Sequence, residues 1–301
     1  MRHLLAPDGL AALAALLQRA PLLAFDFDGT LAPIVARPDD ARVAPDVARP
    51  LAALATHLPV AVVSGRARAD LRRRLDFAPR YLVGNHGAEG GDVDDADAGP
   101  AHAAQAARLD PLRRTLAVRA SALAALGVLV EDKGASIALH YRGASDRLAA
   151  AAQIGALLAP RDPALRVFGG KLVVNVMPAD APDKAAAVHA LVARSACRSA
   201  LFAGDDVNDE PVFVSAPDDW LTVRVGRDGV GSAARWYLDG THEMAALLER
   251  LLALARGTNA CAAMGRNGCN GRACRACRAD ERPRRLAGAR LCRLQSCARS
   301  T

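Results

Sequence analysis

The sequence predicts a doubly wound α/β layer, interrupted by an antiparallel α+β insert. Two observations carry that reading. Apolar runs that do not alternate, LLAFDF at 22–27, PVAVV at 59–63 and ALFAG at 200–204, are separated by helical patterns, as in a parallel sheet covered on both faces. Between about residues 105 and 178 the grammar changes to paired β-like runs set around glycines, which is how hairpins are written.

In chain order, MRHLLAPDGLAALAALLQRA reads as a short amphipathic helix capped by Asp8. Asp8 and Gly9 before its apolar run, and Gln18 and Arg19 after it, argue against an export signal. A buried strand (22–27), a helix (APDVARPLAALATHL), a second strand (PVAVVSGR), a helix (ARADLRRRLDF) and a third strand (YLVGNHG) follow. Residues 90–104, GGDVDDADAGPAHAA, are small, acidic and aperiodic, and read as a linker or surface loop. The insert is then a helix near 106–126, a hairpin turning at Gly134, a helix near 145–158, and a hairpin turning around Gly169 and Gly170. From DKAAAVHALVARS the α/β order resumes, with strands SALFAGDD and WLTVRVG and a final helix THEMAALLERLLALA. The expected organisation is a core of 1–104 and 179–256, an inserted domain of 105–178, and a tail of 257–301.

At 301 residues, 51% hydrophobic and 24% charged, the chain has the composition of a soluble globular protein. The formal net charge of +7 lies in the tail: residues 257–301 carry ten Arg and two acids, a net of +8, so residues 1–256 sum to −1. The basic balance is therefore no argument for a nucleic-acid partner. Cys197 is the only cysteine before the tail, which does not suit a disulfide-framed secreted enzyme; a cytoplasmic monomer is expected. No segment supplies the roughly 18 uninterrupted apolar residues of a membrane span. In the tail, C-x-x-C at 274 and 277 invites a zinc reading, but no His accompanies it and the spacings match no finger, so a disordered basic appendage is expected.

The chemistry concentrates at strand ends. Asp26 and Asp28, spaced i, i+2, would share one face of an extended segment and make each other costlier to ionise, so a positive object is expected between them. In open α/β sheets ligands bind beyond the carboxyl ends of the strands. Three such ends are polar here: Asp26 and Asp28, then Ser64, then Asp205, Asp206 and Asp209. Acids from distant parts of the chain that meet there suit a hard cation such as Mg2+ with a phosphate beside it. An aspartate at a strand end also serves as a turn former or helix cap, and for a single pair that explains as much. Lys is scarce, with Lys133, Lys171 and Lys184 against 36 Arg, so each retained Lys draws notice.

DFDGT, VVSGR, Lys184 and GDDVNDE, in that order, resemble the four motifs of the haloacid-dehalogenase-like (HAD) phosphohydrolases. The resemblance implies a HAD-like doubly wound core with an inserted α+β cap of the C2B type. It implies Asp26 as nucleophile, giving an aspartyl-phosphate, and Asp28 as general acid and base. It also implies phosphate contacts from Thr30, Ser64, Gly65 and Lys184, and Mg2+ held by Asp26, Asp28 through its main-chain carbonyl, and Asp205. Asp206 and Asp209 would be outer or additional ligands. GNHGAE (84–89), VEDKGASIALHYR (130–142) and GGKLVVNVMP (169–178) further resemble the trehalose-6-phosphate phosphatase branch. That branch implies sugar contacts from Arg66, Asn85, His86, Glu131, Lys133, Lys171 and Asn175.

Three positions depart from the branch pattern: Asn175 in place of an acid, Asn208 where Thr is common, and Ala185 where Gly is usual. Loss of a carboxylate from a sugar clamp is worth on the order of 1 to 3 kcal/mol, so Asn175 bears on substrate identity. Another sugar phosphate, such as sucrose phosphate or a glycosylglycerate phosphate, a phosphomutase, and a non-catalytic module remain alternatives at this point.

Overall fold

The computed structural model describes residues 1–35, 37–92, 100–159, 162–227 and 231–265. Two compact units divide the chain, Met1–Asn259 and Ala260–Thr301; the second is described only as far as Gly265. The strands are β1 Arg2–His3, β2 Leu22–Phe25, β3 Val60–Val63, β4 Tyr81–Gly84, β5 Glu89–Asp92, β6 Leu129–Asp132, β7 Ile137–His140, β8 Leu165–Gly170, β9 Val173–Pro178, β10 Ala200–Gly204, β11 Leu221–Val225 and β12 Trp236–Leu238. The helices are α1 Pro7–Leu17, α2 Pro45–Ala55, α3 Arg68–Arg72, α4 Pro100–Ala107, α5 Asp110–Ala125, α6 Arg147–Leu157, α7 Lys184–Arg194, α8 Glu210–Ser215 and α9 Met244–Gly265.

Eight strands form one sheet in the order β1-β12-β11-β10-β2-β3-β4-β5, parallel throughout except for the antiparallel β4–β5 edge. The chain leaves β2 toward β3 on one side, while β10 pairs with β2 on the other. The strand order therefore reverses between β2 and β10, and a crevice opens at their carboxyl ends. Side chains alternate across the sheet as a pleated strand requires. Leu23, Phe25, Val60, Val62, Leu201 and Ala203 pack with α1, α2 and α9 residues such as Leu13, Leu51 and Leu248. Leu22, Ala24, Ala61, Val63, Ala200 and Phe202 pack on the opposite face with Val188 and Leu191 of α7 and Phe213 of α8. Each fully buried Leu or Phe contributes roughly 1.5–3 kcal/mol by leaving water, so the strands carrying the site are held by packing on both faces.

The four-stranded antiparallel sheet β6-β7-β9-β8 belongs to the insert and has its own apolar cluster. Leu112, Leu116 and Leu123 of α5 and Ile154 of α6 cover Ile137, Leu139 and Val176.

Several local expectations are corrected. The first strand stops at Phe25, and Phe27–Ala32 closes as a turn, with Leu31 and Ala32 N–H both donating to the Phe27 carbonyl. Asp8 lies in the first turn of α1 behind Pro7; the cap residue is Ala6, with no side-chain cap. Glu89–Asp92 forms an edge strand and Pro100–Ala107 a helix where a loop was expected, while the helix expected near 106–126 runs from Asp110 to Ala125. The second hairpin turns at Lys171–Leu172, between the paired Gly170 and Val173, with Leu172 at φ +61°. Helix α9 runs past Arg256 to Gly265; the rest of the tail, with its zinc and disorder readings, lies outside the described residues. No helix among the described residues is long and apolar enough to cross a membrane.

Candidate active site

Asp26 and Asp205 each follow directly on the end of a central strand. Because Phe25 is in register with Ala203, and Asp26 N–H donates to the Ala203 carbonyl at 2.9 Å, the two carboxylates emerge side by side. Gly29 makes room for this: it stands at φ +82°, and a Cβ there would meet Asp205 Oδ2 at 1.9 Å. No L side chain fits both the conformation and the contact. Asp209 joins them from the short helical turn after β10, held by its Oδ2 accepting from Asp206 N–H at 3.0 Å. Oxygens of Asp26, Asp205 and Asp209 lie within 4.8 Å of one another, and all three residues are buried.

Burial of three acids demands a cation. Lys184, 1% exposed at the start of α7, lies 2.9 Å from Asp26 Oδ1 and 2.7 Å from Asp209 Oδ1. Its helix is capped by Asp183, whose carboxylate accepts from Ala186 N–H. Desolvation would strip the proton from this ammonium, yet the charges of Asp209 and Asp26 outweigh it and hold Lys184 protonated above the usual lysine range. One ammonium does not neutralise the set. Burial pushes Asp26 well up despite Lys184. Burial and the Asp209 charge push Asp205 up to about 6, even with Lys171 Nζ 2.6 Å from its Oδ2.

Asp205 Oδ1 is buried with no hydrogen-bond partner among the described residues. An all-oxygen set, an excess of buried negative charge and this orphaned acceptor fit a hard divalent cation such as Mg2+. The third acid in the cluster is Asp209; the side chain of Asp28, which was expected to offer only its main-chain carbonyl, is bonded to Arg66.

Asp28 faces the same cleft from the turn after β2. Arg66 grips it as a fork, Nε to Oδ2 at 2.6 Å and Nη2 to Oδ1 at 2.7 Å. Each of the two strand-end aspartates also has a side-chain cation of its own, Lys184 on Asp26 and Arg66 on Asp28. Ser64 accepts at its hydroxyl from Arg66 N–H at 3.2 Å, which leaves its own proton for an incoming oxygen. Behind Gly65 lies the buried His86 ring, which a Cβ at 65 would strike at 2.3 Å. Desolvation, helped by Lys133 and Lys184, holds His86 well below the usual range, and so neutral.

The insert roofs the cleft. Lys133 Nζ donates to the Gly65 carbonyl at 2.9 Å, and Lys171, at the hairpin tip, reaches Asp205 while its N–H donates to Asp206 Oδ2 at 3.3 Å. Glu131 pairs with His140 at 2.9 Å. Burial would raise the Glu131 carboxyl, but the His140 bond and the Lys133 charge prevail and lower it. Arg142 donates to the Val35 carbonyl at 2.7 Å and the Lys171 carbonyl at 3.2 Å. Asn175, 2% exposed in the middle of β9, also faces the cleft.

Of the residues expected from sequence, Asp26, Asp28, Ser64, Gly65, Arg66, His86, Glu131, Lys133, Lys171, Asn175, Lys184, Asp205 and Asp206 line this one cleft. Thr30, Asn85 and Asp209 do not, Asp209 being wholly buried beside Asp26 and Asp205. Thr30 is wholly buried beneath it, and its hydroxyl has no partner among the described residues. Asn85, at φ +46°, spends its amide joining the layers: Nδ2 donates to the Lys133 carbonyl at 3.1 Å, and Oδ1 accepts from Ser136 at 2.6 Å. His140, Arg142, Ile34, Val35 and Asn208 line the cleft without having been named as site residues. The run H-Y-R signalled the first two; nothing in the sequence singles out Ile34 or Val35.

Comparison with known proteins agrees with this geometry. Trehalose-phosphate phosphatases of Mycolicibacterium paratuberculosis and Mycobacterium bovis are 32% and 34% identical over 260 and 259 residues. Those alignments cover 81% of this chain, which spans 63% and 65% of the relatives' lengths. A Mycobacterium tuberculosis protein described as an uncharacterized glycosyl hydrolase is 33% identical over 208 residues, 65% of this chain and 15% of its own length. Among solved structures, the C-terminal domain of Candida albicans trehalose-6-phosphate phosphatase superposes with a TM-score of 0.69 at 22% identity, covering 82% of this chain and 96% of that one. A trehalose-6-phosphate phosphatase related protein gives a TM-score of 0.66 at 21% identity, covering 79% and 99%. At these identities the two structures speak for the fold. The trehalose-phosphatase family model matches residues 24–226, from the middle of β2 to just beyond β11, and the chain belongs to that family, within the HAD superfamily.

Proposed function

We propose that this chain hydrolyses trehalose 6-phosphate to trehalose and phosphate through an aspartyl-phosphate on Asp26, with Mg2+ as cofactor. The observation that carries the reading is the meeting of Asp26, Asp205, Asp209 and Lys184 at the switch point of the sheet, under a roof bearing Glu131, Lys133, His140 and Lys171. A carboxylate of Asp26 attacks phosphorus while Asp28 protonates the departing sugar oxygen; water, deprotonated by Asp28, then releases phosphate. Both oxygens of Asp28 are gripped by Arg66, so the fork must loosen at one oxygen when the proton is handed over. Mg2+, held by Asp26 and Asp205 with Asp209 beside them, would offset the negative charge of the transferred phosphoryl group. Lys184 holds Asp26 in place and adds a second positive charge, and Ser64 donates to a phosphate oxygen.

The roof supplies charged donors and acceptors to replace the water of a sugar. We read 105–178 as the cap that closes over the substrate, and the cytoplasm as its compartment. Asn175 favours a second reading, the same chemistry on another sugar phosphate. Its amide leaves the cleft one negative charge short of the pattern on which the trehalose reading rests.

Phosphate release from a panel of sugar phosphates, with and without Mg2+, tests both. Release from trehalose 6-phosphate above the other esters, dependent on Mg2+ and absent in Asp26→Asn, is the expected result. Preference for sucrose phosphate would replace the first reading by the second. Isomerised sugar phosphate without free phosphate would replace both by a mutase.

A further inference from the structure

Behind the fork on Asp28 runs a file of alternating charges that the proposed chemistry leaves unused. Arg66 turns Nε and one face of Nη2 to Asp28; Nη2 also donates to the Pro38 carbonyl at 2.8 Å, and Nη1 donates to Asp70 Oδ2 at 3.0 Å. Asp70 Oδ2 accepts a second guanidinium, Arg74 Nε at 2.6 Å. Arg74 is anchored in turn on the Asp39 carbonyl at 2.9 Å, the Ala41 carbonyl at 3.2 Å, and Asp39 Oδ1 at 3.2 Å. The side chains of Arg66 and Arg74 are only 10% and 6% exposed, and Asp70 22%. At the outer edge, Arg73 Nη2 reaches Asp70 Oδ1 at 3.2 Å.

The file spans three pieces of chain. Asp28 and the Pro38–Ala41 segment belong to the loop after β2, Arg66 to the end of β3, and Asp70 to α3. One carboxylate thus sits between two nearly buried guanidiniums, which would face each other as like charges without it. A guanidinium that makes a planar fork transmits its own orientation to the carboxylate it holds. Arg66 has few ways to turn, since its far side is fixed by Asp70 and Pro38.

We infer that Asp70, braced by Arg74, is a positioning residue, which sets the plane of the Arg66 guanidinium and through the fork aims Asp28 at the leaving oxygen. The inference rests on the role proposed above for Asp28. Neither Asp70 nor Arg74 lines the cleft; they act through Arg66. Misplacement of a reacting group by about 1 Å costs on the order of a hundredfold, so removing the brace has a defined signature.

The experiment is a single-turnover comparison of two phosphate esters on the full chain with Mg2+. One is trehalose 6-phosphate, or the sugar phosphate that the panel shows the wild type to prefer, whose alkoxide needs a proton to leave. The other is p-nitrophenyl phosphate, whose anion leaves unaided. Asp70→Asn should slow cleavage of the sugar ester about 30- to 100-fold while changing the first-turnover release of p-nitrophenolate by no more than about twofold. Arg74→Met should give the same selective pattern at about tenfold, and stands in if Asp70→Asn does not fold. Equal slowing of both esters, or of neither, overturns the positioning role and leaves the phosphatase reading intact. If the wild type cleaves neither ester, the phosphatase reading fails and this role with it.

Discussion

The floor of the cleft and its roof present the same kinds of residue, acids with lysine or arginine, in opposite physical states. On the floor Asp26, Asp209 and Lys184 are buried to 5% side-chain exposure or less and hold one another. On the roof Glu131 is 44% exposed and Lys171 31%. There the cations are spent on the core: Lys133 and Arg142 on main-chain carbonyls, Lys171 on Asp205. The floor is an electrostatic centre at the ends of strands packed on both faces, while the outer part of the roof, Glu131 and Lys171, is a set of half-exposed contacts. A sugar or a metal ion can take over the roof's partners, whereas Lys184 keeps Asp26 and Asp209 paired inside the packed floor.

The largest effect follows at the nucleophile. Asp26→Asn keeps the volume and removes the attacking carboxylate, so phosphate release should fall by about 10⁴-fold or more. Residual turnover near the wild-type level would mean that the floor does not carry the chemistry. Next comes Lys184→Met. It strands two buried carboxylates, and breaking a pair of this kind costs about 3–5 kcal/mol of stability. Chemical denaturation should show the loss, and unchanged stability would contradict the picture of a mutually held centre.

Asp205 adds a pH dependence of opposite sign to ordinary ion pairs. Its carboxyl is raised from the usual aspartate range to about 6, so between about pH 4 and 6 it binds more protons in the folded, metal-free chain than in the unfolded one. The contribution of Asp205 to the stability of the metal-free protein therefore falls as pH rises through that window, by at most on the order of 3 kcal/mol for the roughly two-unit shift, while His86, kept neutral by burial, acts with the opposite sign. Asp26, also pushed up by burial, acts in the same direction as Asp205. The stability difference between wild type and Asp205→Asn, from thermal melts in chelator, should show the decline, and Mg2+ at pH 7 should reverse it in the wild type. A difference that moves in favour of the wild type as pH rises across the window would place Asp205 in paired, unstrained surroundings.

Smaller, and at the border of the two regions, is Lys171→Met. With its ammonium 2.6 Å from Asp205 Oδ2, Lys171 competes with a divalent ion for the charge of the same carboxylate. Calorimetric titration of the substrate-free variant should give Mg2+ binding about tenfold tighter than the wild type, with a raised KM for the sugar ester. Equal Mg2+ affinity would show that the roof does not touch the floor in solution. Asn175→Glu should move KM among sugar phosphates by no more than about tenfold, and an unchanged ranking would remove Asn175 from the question of specificity.

The sequence made the floor legible for a physical reason. Asp26, Asp205 and Lys184 are placed by strand ends and a helix start, and those follow from apolar runs that had to be buried. What it hid lies where main chain decides. The i, i+2 spacing of Asp26 and Asp28 suggested one shared face, but the strand ends at Phe25 and a turn sends the carboxylates to different cations. Asn85 read as a sugar contact, yet its side chain ties Lys133 and Ser136 to the core. Thr30 read as a phosphate contact and lies beneath the cleft. The edge strand Glu89–Asp92 escaped because Gly90 and Gly91 carry no β signal; it pairs antiparallel with β4. In the insert, the turn at Lys171–Leu172 was masked by the glycines just before it, since a leucine at positive φ is not what a hairpin turn advertises.

The central claim is that the acids of β2 and β10 meet so as to leave one oxygen of Asp26 free to take the phosphoryl group. Acid-quenched protein, caught while turning over trehalose 6-phosphate with Mg2+ and analysed by peptide mass spectrometry, tests it most directly. The account predicts a single phosphoryl adduct on the peptide containing Asp26, lost in Asp26→Asn and in chelator. Phosphate release at full rate with no adduct there, or an adduct on another side chain, would contradict it.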